Sequence, residues 1–136
     1  MGAWGPGSFD NDAAADWAME CARSAGFTLV EATLDNLLAA EDDECDASDE
    51  EEAIAAAEAV ARAAGNWGVR NAYSQALDDW IGTLGEQPRP ALLAKARRAV
   101  QSIRGEPSEL RELWSDSGDF SQWRESLDGL LARLGI

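Results

Sequence analysis

Apolar residues return three and four positions apart in one segment after another, and nowhere do they alternate as a strand requires. The repeat is nearly perfect in residues 90–104, where Leu92, Leu93, Ala96, Ala99, Val100 and Ile103 fall on one helical face. That period confines the chain to an all-α fold: a compact single-domain bundle of six to seven short helices spanning residues 1–136, entered through a Gly/Trp-rich loop of residues 1–10 and interrupted by an acidic loop at 41–48. A chain of 136 residues is long enough to bury a real core as one domain.

The helix boundaries follow from capping residues and breakers. A first helix is expected over about residues 11–24, capped by Asp10, with Ala14, Trp17, Ala18, Cys21 and Ala25 on one face and Gly26 ending it. Thr28 and Glu31 have capping-box spacing before a helix that faces inward through Val30, Leu34, Leu37 and Leu38; Ser48 and Glu51 repeat that spacing before a third helix at about 49–64. The third helix is read as burying one face, Ile54, Ala57, Ala61 and Ala64. A fourth is expected at 74–84 with Leu77, Trp80, Ile81 and Leu84 inside. Pro107 opens a short sixth with Leu110, Leu113 and Trp114, and Asp119 with Gln122 caps the last, which presents Phe120, Trp123, Leu127, Leu130, Leu131 and Leu134.

Residues 2–12 read Gly-Ala-Trp-Gly-Pro-Gly-Ser-Phe-Asp-Asn-Asp. Gly5 and Gly7 flank Pro6 in a turn, and Phe9 sits where a hydrophobic staple would pack on Ala14. A glycine-rich loop before a helix can cradle an anion. Here no lysine follows and the nearby side chains are Asp10, Asn11 and Asp12, so we read a folded-back loop that plugs a helical core. The pattern G-A-W-G-x-G-x-F-D-N-D, followed by A-x-D-W at Ala14 to Trp17, resembles the start of a family of short bacterial proteins known as domain of unknown function 4259. A late E-L-x-E-L-W at Glu109 to Trp114 fits the same resemblance. It implies a small, mostly helical bacterial protein and carries over no catalytic residue.

Charge is distributed unevenly. Residues 1–60 hold sixteen acids and one base, Arg23; residues 61–136 hold ten of each, so the whole net charge of −15 belongs to the leading portion. Its focus runs from Glu41 to Glu52. Such a block stays solvated unless something cationic meets it. The field repels a nucleic-acid backbone, so the basic residues Arg89, Lys95, Arg97, Arg98 and Arg104 are expected to pair with the acidic half or with a second copy. No apolar stretch is long enough to span a bilayer, and no basic segment followed by an apolar run opens the chain, which makes the cytoplasm the expected location.

The absence of histidine removes Ser-His-Asp and Cys-His catalysis and histidine-based zinc binding. Aligned as an EF-hand from Asp42, the acidic loop places Ala47 at the required glycine and Ala53 at the final bidentate acid, so no calcium loop is expected. Neither a cofactor nor a resident metal is expected. Glu109-x-x-Glu112 and Glu125-x-x-Asp128 resemble the Mg²⁺-holding carboxylates of the all-α nucleoside triphosphate pyrophosphatases, but Ser108 stands where that family has a further Glu, and helical spacing turns these acids away from the apolar faces. The favoured expectation is a non-catalytic acidic protein that engages a basic protein partner through Asp42, Asp43, Glu44 and Asp46, with Trp4 and Trp67 as exposed aromatics. By analogy this suits a bacterial immunity protein against a toxin. The alternatives are the Mg²⁺-dependent hydrolase and a self-assembling structural protein, a homo-oligomer.

Overall fold

The computed structural model describes residues 5–40 and 45–135. Among them are seven helices and no strand: α1 (Asp12–Cys21), α2 (Thr28–Ala39), α3 (Ala47–Ala63), α4 (Gln75–Leu84), α5 (Pro90–Arg104), α6 (Glu109–Ser115) and α7 (Phe120–Arg133). The acidic residues 42–44 and Trp4 lie outside the described residues.

The organising element is α3, which packs against all six other helices. Sequence spacing gave it one inner face. Instead Ala53 through Ala63 are buried on every side, while Ala64, expected inside, is only half-buried. The reason is the side-chain size. Alanine lets six neighbours approach closely from all directions, and a helix that is alanine all round shows no amphipathic stripe to betray which face is inside. An Ala57→Leu substitution in this fully enclosed helix is therefore expected to destabilise by about 1–3 kcal/mol through overpacking, read as a lower urea midpoint.

Several caps differ from expectation, each for a visible reason. Asn11, not Asp10, caps α1: its side-chain oxygen accepts from Ala14 N at 2.8 Å, while Asp10 turns back to accept from Gly7 N at 3.0 Å. Thr28 is the first helical residue of α2 and so comes one position late to cap it; Glu31 is drawn to Arg89 and Lys95. The capping box of α3 is Asp46 with Asp49, closed by bonds of 2.9 and 3.2 Å, because the helix starts two residues earlier than Ser48 and Glu51 would set it. Ser108 caps α6 by accepting from Arg111 N, and Asp119 flanks α7 without a side-chain capping bond.

One core gathers the inward faces of all the helices. Trp17, Trp80, Trp114 and Trp123 are buried in it, and Cys21 is enclosed among them. Burial, and then the nearby Glu20 carboxylate, push the Cys21 thiol up to about 12, so it behaves as a small apolar residue.

Candidate functional site

The only charged residues between Ala53 and Ala64 are Glu58 and Arg62, one turn apart. Because α3 is enclosed, both are forced inside: Glu58 is 3 % exposed and Arg62 2 %. Two buried ions cost several kcal/mol each unless paired and fully hydrogen-bonded. The structure meets that demand by drawing in partners from distant elements. Arg62 donates to Glu58 at 3.3 Å, to Asp78 of α4 at 2.7 Å and to the Val69 carbonyl at 2.7 Å. Arg133 of α7 grips both oxygens of Glu58 at 2.8 and 2.9 Å. Ser74 donates to Asp78 at 2.7 Å. Burial is the largest single influence on the Glu58 carboxyl and pushes it up, but Arg133 and Arg62 together outweigh it and hold the carboxyl below its ordinary range.

This network also organises two connections. The segment between α3 and α4 is held from beneath by Arg62 at Val69 and by Asn66, whose side chain donates to the Arg133 carbonyl at 2.8 Å. Gly68 permits that close approach, since a Cβ there would fall 2.7 Å from the Arg133 guanidinium. On the other side, the glycine-rich loop folds over the network, and Arg62 lies over the Phe9 ring at 5.2 Å. Within that loop a Cβ on Gly5 or Gly7 would come within 2.6 Å of the Asp10 carboxylate, which explains why both positions lack a side chain. Phe9, expected to pack on Ala14, is buried in the core cluster that also holds Ala14, and its ring serves as the floor for a cation as well.

At the opposite end of α3 the electrostatics reverse. Asp12, Asp16 and Glu20 are exposed on α1, and Asp46, Asp49 and Glu52 crowd the start of α3. Burial raises the Glu52 carboxyl, and Asp49, Glu20 and Asp46 raise it further. Glu51 beneath them is 6 % exposed and pushed up to about 7, first by burial, with Asp12, Asp46 and Glu50 adding repulsion. Glu50 is raised by burial but is employed structurally, accepting from Ser108 Oγ at 2.8 Å and Leu110 N at 2.9 Å to hold the start of α6.

With this geometry in place, the comparison with known proteins has a clear outcome. Residues 2–126 match the family described as a domain of unknown function (DUF4259). The chain belongs to that family. No curated protein and no solved structure matches it. In this family member the match runs from the loop over the buried network through α3 and into α7.

Of the expected binding residues, Asp46 is exposed and serves as the α3 cap, while Asp42, Asp43, Glu44 and Trp4 lie outside the described residues. Trp67 is 37 % exposed, with the Arg70 guanidinium over its ring at 4.2 Å. It follows the C-terminus of α3 whereas Asp46 precedes the N-terminus, so the helix, about 25 Å long, separates them. The hydrolase carboxylates Glu109, Glu112, Glu125 and Asp128 are all exposed, and Asp128 is engaged by Arg104 at 2.5 Å. Among the described residues no group of three or more acidic, cysteine or histidine side chains is placed to hold a metal ion. Sequence reading missed Glu58, Arg62, Asp78 and Arg133 altogether. The available signal was a lone acid–base pair one turn apart in a run of alanines.

Proposed function

We propose that this chain is a non-catalytic binding protein whose acidic leading portion docks a basic protein partner. One observation carries the reading. Among the described acids of residues 1–60, those in ion pairs are Glu31 and Asp35 on α2 and the buried Glu58. Asp12, Asp16, Glu20, Asp46, Asp49 and Glu52 meet no cation of the described chain; the first three recur every four residues along one face of α1, and the last three crowd the start of α3, where Asp12 and Glu20 act on Glu51 and Glu52. Uncompensated charge of one sign on a folded surface speeds encounter with the opposite sign and orients it. An immunity protein that covers a basic, nucleic-acid-cleaving toxin in a bacterial cytoplasm is the biological form that suits this charge pattern. Self-association through α5 has less to work with, since Arg89, Lys95, Arg97 and Arg104 already bond within the chain. A hydrolase built on Glu109, Glu112, Glu125 and Asp128 lacks the convergence a shared Mg²⁺ needs.

A deca-arginine peptide is a suitable probe, with binding followed by calorimetry at two salt concentrations. Neutralising Asp12, Asp16, Glu20 and Glu52 together, or Asp42, Asp43, Glu44 and Asp46 together, should weaken binding roughly tenfold or more, and salt should weaken the parent similarly. Neutralising Glu109, Glu112, Glu125 and Asp128 should leave it nearly unchanged. Equal losses in all three variants would remove the special role of the leading portion.

A further inference from the structure

A cavity of about 130 Å³ opens between the glycine-rich loop and the buried network, with Ser8, Phe9, Asp10, Glu58, Arg62 and Ser126 in its walls. Its charges are unequally spent. Arg62, the one cation in the walls, lies between Glu58 and Asp78; Glu58 is held a second time by Arg133, and Asp78 is approached by Arg70 at 3.7 Å. Asp10 has one oxygen on Gly7 N and no cation within pairing distance among the described residues. The Ser8 hydroxyl is buried beside the Glu58 carboxylate, which it helps to hold below its ordinary range, and its oxygen has lone pairs left to accept. Asp10 therefore offers the cavity a carboxylate with no cation within pairing distance among the described residues, beside hydroxyl oxygens from Ser8 and Ser126.

We propose that this cavity binds a single protonated amine or guanidinium carried on an aliphatic stem. The carboxylate of Asp10 would accept from its N–H donors, with the two serine oxygens completing the shell. An anion would meet Asp10 with no unspent cation in the walls. A purely apolar guest would strand the polar walls without bonds. A bare metal ion would lack its ligands, since no group of three acids converges here. The inference rests on the docking reading to this extent: it gives a basic partner one anchoring side chain, at a place distinct from the α1–α3 acidic face.

The test is an amide NMR titration of the full chain with N-acetyl-lysine methylamide, N-acetyl-arginine methylamide, the uncharged N-acetyl-citrulline methylamide and free butylamine. The proposal expects saturable shifts at Gly7, Ser8 and Phe9 with the cations and none with citrulline. Asp10→Asn retains an acceptor for Gly7 N and should weaken cation binding about tenfold. Capped lysine or arginine binding as well as butylamine assigns the site to a protein side chain; butylamine alone assigns it to a free small amine. Citrulline binding as well as arginine, indifference of Asp10→Asn, or silence of the loop amides with every probe would overturn the proposal. If the loop amides stay silent while deca-arginine still binds with its salt dependence, the cavity is ruled out and the docking reading stands.

Discussion

Replacing Arg62 by methionine is expected to cost about 3–5 kcal/mol of folding stability, measured by urea denaturation at neutral pH. Arg62 is 2 % exposed and answers three acceptors on three different stretches of chain: Glu58, Asp78 and the Val69 carbonyl. Methionine fills much of the same volume, so the loss comes mainly from leaving the Val69 carbonyl unpaired and the buried Asp78 with only Ser74 and the exposed Arg70 at 3.7 Å, while Glu58 keeps Arg133. Arg62→Lys should recover little, because one ammonium cannot reach three acceptors held in a fork. Adding Asp78→Asn to Arg62→Met should return part of the loss by removing a buried charge that has lost its closest cation, and that non-additivity is the signature of a shared network.

Glu51→Gln is expected to stabilise the protein, by roughly 3 kcal/mol at pH 8 and by almost nothing at pH 4. The folded-state value of about 7 exceeds the ordinary 4.5, so the folded chain holds this proton more tightly than the unfolded chain does. The stability tied to the neutral carboxyl is complete below pH 4.5 and is lost as pH rises from there through 7. Above 7, an ionised Glu51 sits 6 % exposed beside Asp12, Asp46 and Glu50. Glutamine keeps the shape and removes the charge. Melting temperatures of parent and variant across pH 4–8 check this; parallel curves would contradict it. Glu58 acts in the opposite sense, since its lowered value gives stability that is present above pH 4.5 and lost as pH falls through the folded value.

The helical period was legible wherever side chains differ in size. Pro90–Arg104 emerges with the boundaries read from Leu92, Ala96, Val100 and Ile103, and four tryptophans on helical faces are buried as expected. It failed in α3, where alanine on every side leaves no face to distinguish. That one failure hid the rest. Taking Ile54, Ala57 and Ala61 as the inner face leaves Glu58 at its flank and Arg62 beyond it, so neither reads as enclosed, and the partners Asp78 and Arg133 then lose their reason for being where they are. The caps slipped by one or two residues because Asx and Ser/Thr side chains crowd every helix start, and tertiary demands such as Glu31 on Lys95 decide among them. The acidic surplus was visible from composition alone; that it has few internal partners required coordinates.

The most direct measurement of that surplus is the melting temperature at pH 8 as sodium chloride rises from about 20 to about 200 mM. If the carboxylates at the start of α1 and α3 repel one another without internal cations, screening relieves them and the melting temperature climbs. A melting temperature that falls or stays level with added salt would mean the charge is already balanced inside the molecule, and no cationic partner would be needed to explain it.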